Sequence, residues 1–346
     1  MPRIGEVKAR MAGAGSHAVE REPGQSRRSF LRLAGGAGLV LAARDLPAVT
    51  PSPFEVGKRG AHSRISLSYA VVEAGATKPF SVLHLSDTHL AYAYPDEHPD
   101  KVDESSRRCP AFGGRQEEAL AESLAWAKDN VDYVVHTGDL VDFQSRANFD
   151  IVRKYWGPGV FGSMGNHEFS SAIKADRGKL PPRSEAFKAG SWDILKKSYP
   201  VDVRFGTRVV NGVNFICMDN VYGAVQPDQV ERFRAEAKKG LPIVLCMHVP
   251  ICTPKVRLVC WKYWGRTGRR FEALPQYADR PGSDNWNEMN DPTTRDFIAY
   301  LKGEPLLKAI LAGHAHLSMQ EAFSPTCTQY LVAGNFLFHG REILFV

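Results

Sequence analysis

The chain has 346 residues, 43% of them hydrophobic, enough for one large domain with a full core. Its net charge of +6 is unevenly placed, because residues 1–44 hold eight Lys/Arg against three Asp/Glu while the remainder holds 36 against 35. Past residue 44 the chain is close to neutral, which speaks against the broad basic footprint of a protein that tracks nucleic-acid backbones, and no nucleic-acid partner is expected.

Residues 1–48 account for the asymmetry. Ser26-Arg27-Arg28-Ser29-Phe30-Leu31-Arg32 precedes a weakly apolar, glycine-containing run from Leu33 to Ala43, and this order resembles a twin-arginine export signal. A run of about 11 residues is too short for a bilayer span, which needs roughly 20. Export by the twin-arginine machinery is therefore expected, to the periplasm or exterior of a bacterium, with no stable membrane span after processing. Cleavage can fall after Ala43 or Ala48, and the long upstream segment makes Met11 a candidate start. Such signals are associated with cargo that is already folded, often with its cofactor in place.

Residues 45–62, with Pro47, Pro51 and Pro53, read as a linker, so the catalytic domain is expected over 49–346. Ile65 to Val72 is the first predicted strand, and Ser81 to Leu85 the second. Leu90 to Gly114 reads as a loop over a site. Arg115 to Asp129 has a helical stripe at Ala119, Leu120, Leu124 and Ala127 and leads into Tyr133-Val134-Val135-His136-Thr137, a second buried strand of a βαβ unit. A helix from about Arg146 to Trp156 stops at Gly157-Pro158, followed by a strand over Val160 to Met164 and a helix around Ser184 to Ser198. Val203 to Val210 and Val213 to Met218, separated by Asn211-Gly212, predict a hairpin that starts a second sheet. Asp228 to Lys239 reads as an amphipathic helix, Ile243 to Met247 and Ala309 to Ala312 as strands, and Thr293 to Lys302 as a helix. Stretches near Ser318 to Phe323, Thr328 to Val332 and Arg341 to Val346 look like antiparallel strands.

Val249 to about Asn290 is too long for an ordinary connection. Within it, Lys255 to Arg270 holds six Lys/Arg and no acid, interleaved with Trp261, Tyr263 and Trp264. It reads either as a solvated basic loop or as a lid for an anionic, partly apolar substrate. The six cysteines are not spaced like a zinc site. Cys217 and Cys246 lie in apolar runs and read as buried small hydrophobes. Cys252 and Cys260 bracket a loop and can bridge in an oxidising compartment, and Cys109 and Cys327 can pair if the fold brings them together.

The predicted strands end on chemistry. They deliver in turn Asp87 and His89, then Asp139, then Asn166 and His167, then His248, then His314 and His316. In open α/β sheets, groups outside the carboxyl ends of strands converge on one crevice. Imidazole and carboxylate donors without thiolate suit Zn, Mn, Fe or Co. His84 and His136, inside strands, read as core residues, with His136 in reach of a ligand carboxylate. His17, His62, His98 and His339 have no motif context.

The set Asp87-x-His89, Gly138-Asp139, Gly165-Asn166-His167-Glu168, His248 and Gly313-His314-Ala315-His316, in this order, resembles the calcineurin-like metallophosphoesterases over residues 80–318. The resemblance implies a four-layer α/β/β/α sandwich of two mixed sheets flanked by helices. It implies two divalent or trivalent transition-metal ions, one held by Asp87, His89, Asp139 and His316, the other by Asp139, Asn166, His248 and His314, with Asp139 bridging. A hydroxide between them would attack phosphorus in a small phosphate mono- or diester. By the same resemblance His167 is the general acid. Asp142 matches the carboxylate that pairs with it in the protein serine/threonine phosphatase branch. That branch has an arginine next, where this chain has Phe143, which argues against a phosphoprotein substrate. Purple acid phosphatases place a tyrosine where Asp142 stands, so no iron-tyrosinate centre is expected. The basic aromatic insertion favours a nucleotide or diester. The two competing classes are a nuclease of the same fold and a non-catalytic metal-binding interaction module.

Overall fold

The structure is a computed structural model, and it describes residues 64–176, 184–264 and 291–346. The signal-like segment, the linker over 45–62 and residues 265–290 of the insertion lie outside the described residues. A five-stranded sheet has the order β1-β11-β2-β3-β4, formed by β1 (Ser66–Val72), β2 (Phe80–Leu85), β3 (Tyr133–Thr137), β4 (Val160–Ser163) and β11 (His339–Phe345). A six-stranded sheet has the order β5-β6-β7-β8-β10-β9, formed by β5 (Phe205–Val210), β6 (Val213–Met218), β7 (Ile243–Cys246), β8 (Leu307–Ala312), β9 (Met319–Ser324) and β10 (Cys327–Leu331).

Side-chain alternation explains why the two sheets stack. In β2, Phe80 and Val82 join Phe161, Phe215, Val244 and Leu311 in the core between the sheets, while Leu83 and Leu85 turn to the other face. There they meet helix α2 (Gln116–Asn130) and helix α3 (Arg146–Tyr155) through Leu120, Ala127, Phe149 and Val152. In the second sheet, Phe215 and Cys217 face inward, and Ile216 and Met218 face helix α6 (Pro227–Ala237) and helix α8 (Pro292–Gly303) through Phe233, Phe297 and Leu301. Strands buried on both faces read as continuous apolar runs, and a period of two sorts their side chains into two cores. Two mixed sheets flanked by helices are thus the observed architecture, as expected.

Several expectations change. The segment read as a loop over 90–114 contains helix α1 (Pro99–Ala111), opened by His98, whose side chain accepts from Asp100 N, and by Pro99 in the first turn. No residue of α1 is buried, so it has no apolar stripe to read. The helix expected over Ser184 to Ser198 is two short ones, α4 (Glu185–Ala189) and α5 (Trp192–Ser198), separated at Gly190 and Ser191. The last three strands are not simply antiparallel. β10 runs antiparallel to β9 but parallel to β8, and β11 antiparallel to β2 but parallel to β1.

None of the six cysteines is in a disulfide. Cys260 is not at a loop end but inside helix α7 (Pro254–Trp264), where it and Val256 are buried against Ala312, Ala315 and Leu331. Cys327 packs in the outer core of the second sheet and Cys109 beside Ala91 and Phe143, so that pair is not brought together either. The first part of the insertion is thus helix packed on the domain. The rest of the segment, 265–290, lies outside the described residues, so the choice between a solvated loop and a lid for Lys255 to Arg270 is described only as far as Trp264. No helix among the described residues is long and apolar enough to cross a membrane.

Candidate metal centre

β2, β3 and β4 run parallel, as do β6, β7 and β8, so each sheet directs its strand ends to one edge. The turns after β2, β3 and β8 are tight. Asp87, His89, Asp139, His314 and His316 all have positive φ, between 51° and 65°. Side chains other than glycine occupy this region at a cost on the order of 1 kcal/mol each. Main-chain bonds between the turns hold them there: Asp87 N donates to Gly138 O at 3.0 Å, His89 N to Asp139 O at 2.9 Å, and Gly313 N to His248 O at 3.0 Å. Gly165 and Gly313 are glycine for want of room, since a Cβ would stand 2.2 Å from Asp139 Oδ1 in one case and 1.8 Å from Ser86 Oγ in the other.

The nine residues singled out from the sequence come together. Asp87, His89 and His316 form one group of potential ligands, and Asp139, His248 and His314 another. In the first group, His316 Nε2 lies 3.2 Å from Asp87 Oδ1, and His89 Nε2 lies 3.0 Å from His316 Nε2. In the second, His248 Nε2 is 3.2 Å from Asp139 Oδ2, from Asn166 Oδ1 and from His314 Nδ1. Asp139 Oδ2 also lies 3.7 Å from His89 Nε2, so one carboxylate oxygen faces both groups.

This donor set fits metal ions. His248 Nδ1 donates to Thr137 O at 2.8 Å, and His89 Nδ1 donates to Asp142 Oδ1 at 2.9 Å. Each ring thus carries a proton at Nδ1 and turns Nε2 toward other potential ligand atoms, an orientation that suits a cation among them. The charges say the same. Burial holds His248 down, but the carboxylates of Asp139 and Asp87 outweigh it and raise its pKa to about 9. Burial opposes ionisation of Asp139 as well, yet His248 and His167 hold it well below the usual carboxylate range. Burial keeps His89 and His314 neutral, lowered to about 4 and about 3.

Asp142 is buried and its Oδ1 also lies 3.0 Å from His167 Nδ1, so it serves two histidines rather than the expected one. The His167 side chain keeps 29% of its surface, enough for a ligand to reach it. Burial disfavours its charge, but Asp139 and Asp142 outweigh that and lift its pKa to about 10. Phe143 turns into a small apolar cluster with Ala91 and Ala172, and the guanidinium beside Asp142 comes from Arg108 instead.

Glu168 had no role assigned from the sequence, although it ends the Gly165-Asn166-His167-Glu168 motif. Its buried carboxylate accepts from Asp139 N, Leu140 N, Val141 N and Gly165 N at 2.7 to 3.2 Å, tying the β3 and β4 turns together. His136 bonds Thr88 Oγ1 at 2.9 Å rather than a ligand carboxylate, and His84 bonds Thr137 Oγ1 at 2.9 Å.

Residues 80–318 match the family model described as calcineurin-like phosphoesterase. Among solved structures, the chain is similar to a dimetal phosphatase from Danio rerio at 12% identity and a TM-score of 0.41, covering 74% of this chain and 88% of that one. It is also similar to a purple acid phosphatase from yellow lupin (Lupinus luteus) seeds at 10% identity and a TM-score of 0.43, covering 75% of this chain and 45% of that one. A calcineurin-like phosphoesterase from Bacillus subtilis is similar at 13% identity and a TM-score of 0.36, covering 75% of this chain and 82% of that one. No curated protein sequence matches the chain.

Proposed function

Because the chain belongs to the calcineurin-like phosphoesterase family, we propose that it is an exported phosphoesterase hydrolysing a small phosphate mono- or diester with two transition-metal ions. The observation that carries this reading is Asp139 Oδ2, which faces His89 Nε2 on one side and His248 Nε2 on the other. Asp87, His89, Asp139 and His316 would hold one ion, and Asp139, Asn166, His248 and His314 the other. Fe, Mn, Zn or Co suits these donors. When bound, the ions supply an activated water near neutral pH and the positive charge that in-line displacement at phosphorus needs.

The protein's own groups do the rest. His167 engages Asp142 through Nδ1, which leaves its proton for the departing alkoxide at Nε2. Asp142 orients that ring and balances its charge. Glu168 keeps the Asp139 and Asn166 turns in register. The near-neutral domain favours a small substrate over a nucleic-acid polymer. The segment from Ser26 to Ala43 supports export by the twin-arginine machinery.

The test is metal analysis of protein folded in the cell, followed by hydrolysis of nitrophenyl mono- and diesters after reconstitution with Mn, Fe, Zn and Co. About two ions per chain and turnover of at least one ester are expected. No hydrolysis of either ester with any of the four metals would overturn the proposal.

A further inference from the structure

Helix α1, which carries no apolar stripe, and the residue that caps its end bring two side chains to the centre. Arg108 donates from Nε to Asp142 Oδ2 and from Nη2 to Asp142 Oδ1, both at 2.6 Å. The same Oδ1 meets His89 Nδ1 at 2.9 Å and lies 3.0 Å from His167 Nδ1, which also donates to the main-chain carbonyl of Asp142 at 2.9 Å. The Arg108 guanidinium lies over the Phe112 ring, 4.8 Å from its centroid. Phe112 in turn stacks on His89, with centroids 4.2 Å apart and planes within 8°. Arg108, Asp142, His89 and Phe112 therefore close a ring of contacts at the end of α1.

Ion pairs at a protein surface do little, but this one is different because the Asp142 side chain is 1% exposed and the Arg108 side chain 23%. A buried carboxylate held only by two imidazoles at one oxygen can turn about its Cβ–Cγ bond. A planar two-pronged guanidinium on both oxygens fixes its plane.

We propose that Arg108 is a positioning residue for His167: by holding both oxygens of Asp142, it keeps Oδ1 between His89 and His167 and so aims the His167 ring at the leaving group. This rests on the general-acid role given to His167 above.

The experiment compares wild type, Arg108→Ala and Arg108→Lys as full chains. kcat and KM are measured separately for phosphate esters with good and poor leaving groups, alongside bound metal and thermal melting. In Arg108→Ala, kcat for the poor leaving group should fall about 10- to 100-fold, as for loss of an outer partner of a metal site. The good leaving group should suffer less, with KM and metal content held, and added guanidinium ion should restore part of the loss. Arg108→Lys keeps the charge but not the fork, so it should remain impaired. A rise in KM at constant kcat would make Arg108 a substrate contact and overturn the proposal, as would equal loss for both esters or loss of metal. A second measurement needs no substrate. The proton resonances of the His89 and His167 Nδ1–H groups should shift or broaden in Arg108→Ala, and unchanged resonances would overturn the proposal. An inactive wild type would therefore sink the phosphoesterase reading, while the resonances still decide the role of Arg108.

Discussion

His89 and His248 both direct Nε2 toward Asp139 Oδ2, at 3.7 and 3.2 Å, yet the far side of each ring is held differently. His248 Nδ1 is fixed by the main-chain carbonyl of Thr137, the last residue of β3. His89 Nδ1 is fixed by the Asp142 side chain, itself gripped by Arg108 from α1. The second histidine is thus positioned by the register of the sheets. The first depends on a chain of side chains, one of them from a helix outside the two cores. Burial prevails at His89 and keeps it neutral, whereas at His248 burial is outweighed by Asp139 and Asp87. A site held by backbone resists substitution, and a site held by side chains can be tuned or lost one residue at a time.

Asp139 is where the two halves meet, and its replacement should have the largest effect. Asp139→Asn keeps the shape and removes the charge that both histidines face. Metal bound by the two groups should fall together, and activity should fall by more than the roughly 100-fold typical of an outer partner. Elemental analysis checks this, and unchanged stoichiometry would contradict a shared carboxylate.

Next in size is His167→Ala, on the side held by side chains. Metal content should persist, because the His167 side chain engages Asp142, and the His167 main-chain N–H that donates to Asp139 Oδ1 is kept in alanine. Turnover of esters with poor leaving groups should drop about 10²- to 10⁴-fold, the usual contribution of a general acid. Rates for a series of leaving groups test this, and an equal loss across the series would count against the role.

The smallest effect tests the side held by backbone. His84 bonds the hydroxyl of Thr137, the residue whose carbonyl receives His248, and burial keeps its pKa well below 6.5. The folded protein therefore refuses a proton that the unfolded chain accepts below about pH 6.5. His84 thus favours the fold fully above that pH, and this stability is lost as pH falls from about 6.5 toward the native pKa. His84→Gln should flatten the acid limb of stability by at most about 1.4 kcal/mol per pH unit. Urea denaturation between about pH 4.5 and 7.5 measures it, and an unchanged slope would show that His84 does not hold its neutral form.

Much of the centre was legible because its signals are local. An apolar run followed at once by Asp, Asn or His marks a strand end without knowledge of any partner, which is how Asp87, Asp139, Asn166, His248 and His314 stand out. Arg108 and Phe112 were not legible. Arg108 sits on a helix with no buried residue and Phe112 caps that helix, and Arg108 meets Asp142 across 34 positions of sequence. Glu168 was visible as a letter of its motif but not as an acceptor for the N–H groups of Asp139 and Leu140, because that role exists only when the β3 and β4 turns lie side by side. The cysteine bridges failed for a related reason, since Cys260 is committed to the buried face of a helix that its basic neighbours disguised.

The amino-acid order by itself determined the two layers of strands, the helices with an apolar face, and the residue types offered at each strand end, because a repeat of two or 3.6 residues and the contrast between apolar and polar are properties of neighbours. Tertiary structure alone decided which atoms meet. His89 and His316 stand 3.0 Å apart across 227 residues, one Asp139 oxygen faces two histidines, and a helix without a core face supplies the guanidinium behind Asp142. Such distances depend on sheet register and on tight turns with positive φ, which arise only when both sheets pack and their main-chain groups bond across the crevice.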